Sequence, residues 1–168
     1  MSELTFDKRE LGNLEYSLDR EVLATDRRGG YMSTTIVGCN TRKYHGLMVA
    51  PIDQSDRTYV LLSSLDETLI QHEQAFNLAL HRFEGVYEPR GHKYITDFEY
   101  TPCPTITYRV GGVILRKEIL WIHKRTQMMI RYTLVDAHSE TTLRLRPFLA
   151  FRNRHELSKA NMYANVRS

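Results

Sequence analysis

Thiols are scarce in this chain: Cys39 and Cys103 are the only two cysteines in 168 residues. They allow one bridge at most, so no disulfide framework holds the fold, and both are expected as free thiols of a cytoplasmic protein. No apolar stretch approaches the length of a membrane span. The N-terminus, MSELTFDKREL, carries charges within its first ten residues and has no apolar segment, which excludes a signal-peptide pattern. Long runs of one charge are also absent. The net charge is +3, and the cations come in scattered pairs such as Arg27-Arg28, Arg42-Lys43 and Lys124-Arg125. That is a mildly basic soluble surface, too weak for a nucleic-acid arm.

Motifs of familiar chemistry are missing as well. The seven histidines form neither H-E-x-x-H nor a Cys/His ligand spacing, so no metal site is expected. There is no G-x-S-x-G elbow. The segment RRGGYMS (27–33) lacks both phosphate-loop patterns, so Gly29-Gly30 reads as a turn or bulge. No cofactor is expected. A glycosidase needs two facing carboxylates. The one adjacent acidic pair in a strand pattern is Asp66-Glu67. Neighbours on a strand point to opposite faces and cannot flank one bond. One is expected outward and the other capping a turn.

What remains is strand. The length suits one domain, and a chain of this size buries roughly 70% of its unfolded surface without a metal or disulfide. Ile106, Tyr108 and Val110 alternate with Thr105, Thr107 and Arg109, the period of a half-buried strand. Gly111-Gly112 follows and predicts a type I′ hairpin turn. The runs 113–123, 126–136 and 140–151, joined by tight links, predict an antiparallel meander. In the last run Leu143 and Leu145 are expected inward, Arg144 and Arg146 outward, with Pro147 marking an edge, bulge or bend. Shorter strands are predicted over 46–51, 57–64, 66–71, 76–83 and 94–100, with loops at 84–92 and 101–104. No ten-residue stretch shows a capped helical period. About nine strands at short spacing define an all-β, antiparallel sandwich. Trp121 is expected to pack in the core.

Two dense polar constellations stand out. One is Asn40, Thr41, Arg42, Tyr44 and His45, followed by Gly46 and the apolar run Leu47 to Val49; the other is Arg152, Asn153, Arg154 and His155. Both combine planar hydrogen-bonding groups with a ring, the combination that sugar hydroxyls and C–H faces require. The same residues could instead shape turns and cover a sandwich edge. Gly46 is expected to let the chain turn into the buried strand.

The blocks GGY, NTRKYHGLMVA, LLSSLDET, PTITYRVGGVILRKEI and LRLRPFLAFRNRH occur in this order. Together they resemble the N-terminal domain of the bacterial and archaeal type of glycogen debranching enzyme, from about Glu21 to His155. Two segments depart from the usual pattern: Met32-Ser33-Thr34 stands where small residues are usual, and RNRHELSKAN lacks the Asp or Tyr common in that loop. The resemblance implies a β-sandwich of the super-sandwich type, followed in the family by an (α/α)6 barrel that hydrolyses α-1,6-linked branch-point glucose. It implies that residues 1–168 form a single non-catalytic domain, part of a longer chain, with 152–168 as the start of a linker. The implied partners are that barrel and an α-glucan such as glycogen or a branched dextrin; the patch left open where the barrel would dock could also let the isolated domain form a homodimer. No membrane or nucleic-acid partner is implied. Asn40, Arg42, Tyr44, His45, Arg152 and His155 would then bind glucan or line the domain interface. The alternative is a stand-alone carbohydrate-binding or assembly sandwich.

Overall fold

A computed structural model describes residues 4–52 and 57–157 of the chain. The part of the expected linker from residue 158 onward lies outside the described residues, and its start, Arg152-Asn153, is the end of a strand.

The chain opens with a short strand, β1 (Leu4–Asp7), and two five-residue helices, α1 (Lys8–Gly12) and α2 (Leu14–Leu18). Asp7 accepts from the N–H groups of Arg9 and Glu10, and Glu10 accepts from the Asp7 N–H, forming a capping box. These helices are too short to give a hydrophobic period, so the sequence pattern does not reveal them.

Strands follow. They are β2 (Glu21–Thr25), β3 (Tyr31–Thr35), β4 (Gly46–Pro51), β5 (Thr58–Gln71), β6 (Gln74–Asn77), β7 (Leu80–Phe83), β8 (Val86–Arg90), β9 (Ile95–Tyr100), β10 (Pro104–Val110), β11 (Val113–Trp121), β12 (Met128–Ala137) and β13 (Thr142–Asn153). One sheet runs β1-β9-β10-β11-β12. A second runs β13-β5-β4-β3-β2, with β6 added to β5, and β7-β8 is a separate hairpin. Every pairing is antiparallel.

Val22, Met32, Leu47 and Leu69 of the six-stranded sheet share one core with Phe98, Ile106, Tyr108, Val113, Leu115 and Ile119 of the five-stranded sheet. The domain is therefore an all-β sandwich, as its alternating pattern predicts. Burying each such side chain contributes about 1.5–3 kcal/mol. Trp121 is partly buried against this core.

The β10–β11 hairpin turns on Gly111 and Gly112, with φ of +59° and +79°. Positive φ at both positions is what the type I′ turn demands. The Arg27–Gly30 segment is also a turn: buried Asp26 accepts from the N–H groups of Arg28 (2.6 Å) and Gly30 (2.9 Å).

Several expectations need correction. The meander ends at β12, because β13 crosses to the other sheet and pairs with β5. There it is the edge strand, which suits Pro147. Leu143 packs on the core, but Leu145 is exposed along that edge. The runs 57–64 and 66–71 are one 14-residue strand, β5. The run 76–83 divides between β6 and β7, and the loop predicted over 84–92 contains β8. Pro89 and the charges of that segment conceal a strand paired in a small exposed hairpin.

Asp66 and Glu67 do point to opposite faces of β5, but neither is outward or capping a turn. Both are buried. Glu67 faces the five-stranded sheet, where it pairs with Lys117 Nζ at 2.5 Å and accepts from the Tyr132 hydroxyl at 2.5 Å. Asp66 faces the β7 hairpin and binds His81. β5 is covered on both sides here, so a carboxylate must be paired on either face.

Candidate functional site

The two polar constellations, over 100 residues apart in sequence, converge at one end of the six-stranded sheet. Residues 40–45 link β3 to β4, and 152–155 end β13 and leave it. Arg152 Nη2 donates to the Lys43 carbonyl at 2.7 Å, and its Nη1 donates to the Glu156 carbonyl at 2.9 Å. Lys43 Nζ reaches the His155 carbonyl at 3.5 Å. The Tyr44 and His155 rings meet edge to face. Lys43 Nζ also lies 5.1 Å from the centre of the Tyr44 ring. Tyr31 closes the cluster from β3, its hydroxyl donating to the Tyr44 carbonyl at 3.1 Å. Burial pushes the Tyr31 phenol up, against the nearby Arg154 and Arg152 charges, so it stays a donor at neutral pH.

Within the first constellation the residues divide by role. Asn40 ties the loop down: its Oδ1 accepts from the Thr34 hydroxyl at 2.9 Å, and its amide donates to the Ser63 carbonyl at 2.8 Å. His45 does not reach the surface. Its side chain is 1% exposed, and its Nδ1 accepts from the Thr41 N–H at 3.0 Å. That bond places the neutral ring's proton on Nε2, which lies 3.4 Å from a Glu21 oxygen without good hydrogen-bond alignment. Burial pulls the His45 pKa below its ordinary value, although the Glu21 charge opposes this. His45 is therefore a neutral brace inside the turn. The expected picture of it as a ligand-facing ring is corrected by its burial.

Arg42 is exposed, and its Nε donates to Glu21. Burial works to raise the Glu21 carboxyl, but the bond from Arg42 and its positive charge outweigh it and hold the pKa down. Of the six candidate residues, Arg42, Tyr44 and His155 are exposed, while half-buried Arg152 clasps the loop through its two carbonyl bonds. Asn40 and His45 shape the loop that carries Tyr44.

Gly46 ends this loop, and the reason it is glycine differs from the expected one. A Cβ there would lie 2.9 Å from both Val49 Cγ2 and Val60 Cγ1. Close packing under the loop, rather than a left-handed backbone, requires its small size.

Sequence reasoning missed Glu21 and Tyr31, because nothing local marks them as partners of residues 42–45. It also missed the Asp66–His81 pair. The only signal there was an acidic pair inside a strand long enough to be covered on both faces. Cys39 and Cys103 are buried free thiols, and burial pushes the Cys39 thiol up to about 11. Among the described residues no group of three or more His, Cys, Asp or Glu side chains could hold a metal ion. None of the described helices is long and apolar enough to cross a membrane.

Fold and cluster together define an all-β sandwich domain that carries a cationic, tyrosine-containing loop surface at one end. The chain belongs to the glycogen debranching enzyme N-terminal family, whose model matches residues 20–168. A comparison with curated proteins finds no match, nor does a comparison with solved structures. The sandwich is thus the N-terminal domain of a glycogen debranching enzyme.

Proposed function

We propose that this domain is the non-catalytic part of a cytoplasmic glycogen-debranching α-1,6-glucosidase, that it supports a catalytic barrel, and that the Tyr44–His155 cluster contributes to glucan binding. The observation that carries this reading is the convergence of residues 43–44 with 152–155. A loop that served only its own turn would not need three cations, a tyrosine and an imidazole gathered from both ends of the chain. Polar groups held on a rigid sheet are well suited to position a ligand. Arg42 offers a planar fork for a hydroxyl pair or for a barrel carboxylate. Tyr44 offers a ring face and a hydroxyl, and His155 offers a further ring.

Hydrolysis itself would use two carboxylates of the barrel, one as acid and one as base or nucleophile. Asp66 and Glu67 do not suit that task, since each is buried on its own face and already paired. The isolated chain should therefore release no glucose from a branched limit dextrin.

The exposed apolar side chains Leu145 and Phe151 of β13, which lie outside the groove between β7 and β13, suit contact with the barrel. In the isolated chain the same strip would bring two copies together.

The test is kinetic. Arg42→Ala and Tyr44→Ala in the full-length enzyme should each lower kcat/KM by up to about tenfold, the effect of one lost hydrogen bond. The melting temperature should stay within a few degrees of the parent. Unchanged kinetics in both variants would remove the cluster from glucan binding.

A further inference from the structure

We propose that the groove between β7 and β13, centred on His81, is a second glucan subsite that takes one pyranose ring. The inference rests on the reading above that this domain meets an α-glucan, and it assigns a place that the Tyr44–His155 cluster does not cover.

The groove has a volume of about 340 Å³, within the range of small-ligand pockets. Its key feature is an oriented imidazole. The Asp66 side chain, 3% exposed, accepts from His81 Nε2 at 2.8 and 3.0 Å. In the neutral form of the ring, a proton on Nε2 leaves Nδ1 as an acceptor. No hydrogen bond to Nδ1 is present among the described residues, and the His81 side chain is 21% exposed. A histidine that only bridged the sandwich would be covered on both nitrogens. This one is fixed from below and open from above.

Two phenyl rings flank it. Phe83 lies 5.9 Å and Phe148 5.5 Å from the imidazole, both tilted, with Phe83 60% and Phe148 40% exposed. Ser63 and Ser64 also line the groove. The arrangement therefore puts an oriented acceptor and hydroxyl groups beside two apolar ring faces.

A sugar ring presents the matching pair of surfaces: hydroxyls on its rim and C–H groups on its faces. An anion is a poorer fit. Arg146 is 3.4 Å from Asp66 and lies over the Phe148 ring, and Arg152 is spent on two carbonyls. Both cations at the groove are thus already engaged. A purely apolar polypeptide segment would leave the Nδ1 acceptor facing carbon, which costs free energy when it is desolvated.

The experiment is a titration of the ¹⁵N-labelled chain with maltotetraose, followed by amide and imidazole NMR shifts. The expected result is saturable shifts at His81 and its groove neighbours. Phe83→Ala, a change at an exposed ring that should leave the fold intact, should weaken that binding by about three- to tenfold. His81→Phe, which keeps a ring but removes the acceptor, should do the same. Tyr44→Ala should leave the groove shifts in place.

Shifts confined to Tyr44 and His155 would overturn the second subsite and leave the proposed function standing. Absence of shifts at millimolar maltotetraose would overturn both. Groove shifts that survive unchanged in Phe83→Ala and His81→Phe would overturn the subsite. So would groove shifts produced by an apolar tetrapeptide and not by the sugar.

Discussion

Tyr44 and His155 stand 111 positions apart, yet their rings meet at 5.6 Å and 83°, with the hydroxyl 3.4 Å from Nδ1. The contact joins the loop before β4 to the end of β13 across the β5 strand between them. An edge-to-face ring pair contributes about 0.5–1.5 kcal/mol beyond the area it buries, and exposure reduces that. A double-mutant cycle of Tyr44→Ala and His155→Ala, read by urea melts, should give a coupling of no more than about 1 kcal/mol. A much larger coupling would mean that the cluster is a structural clasp rather than a surface held ready for a partner.

His45 should behave in the opposite way. Replacing it with alanine leaves the partly buried Thr41 N–H without its side-chain acceptor, a loss of about 1 kcal/mol. Its pH dependence has a definite sign. Burial depresses the folded pKa below the unfolded value, so the unfolded chain takes up the proton first as pH falls. Stability therefore declines as pH drops below the ordinary histidine value and through the depressed one, and it recovers above that window. His92 is shifted the same way by burial and by the charges of Arg90 and Lys93. Melts between pH 7.5 and 5 should show this fall. His45→Gln should flatten part of it, with the remainder due to His92. A slope identical to that of the parent would show that His45 is protonated equally in both states.

The ion pair between the sheets offers a sharper energetic contrast. Lys117 and Glu67 are both buried, and Tyr132 donates to the same carboxylate. Burial and the Glu67 charge push the Tyr132 phenol up, so it remains a donor. Lys117→Ala strands Glu67 and should cost about 3–5 kcal/mol. The double change Lys117→Met with Glu67→Gln should recover much of that loss, because desolvation consumes most of what a buried pair gains. Chemical denaturation of the two variants separates these cases. Equal losses would mean that the pair contributes strongly on its own.

These contrasts also show where the sequence is informative. The strands over 105–137 announce themselves because one face is buried and the other is not, which writes a period of two into the residues. β5 hides its acids because both of its faces are covered near Asp66 and Glu67, a fact set by β7 and β11 and invisible in the local pattern. The destination of β13 is equally non-local: a short turn after β12 looks like a meander whether the chain stays in the sheet or changes sheets. The two polar constellations are conspicuous as composition. Their meeting depends on β5 carrying β4 on one side and β13 on the other. Burial then sorts the members, which is why His45 and Tyr44, adjacent in sequence, serve different ends.

Gly46 gives the last test, and it concerns space rather than backbone conformation. The residue begins β4 with ordinary φ, so alanine meets no Ramachandran penalty. Its Cβ would instead press on two valine methyl groups at 2.9 Å, inside the closest approach that carbon atoms tolerate. Val49 and Val60 are fully buried and β-branched, so neither can rotate away cheaply. Overpacking of this kind costs about 1–3 kcal/mol. Trimming one neighbour should relieve it. Gly46→Ala combined with Val60→Ala should therefore be less destabilised than the sum of the two single changes. Strict additivity would show that the methyl contact is not the cause. In that case the glycine would have to be explained by the loop it terminates, through displacement of Tyr44 and a loss of glucan-dependent kinetics greater than the loss of stability.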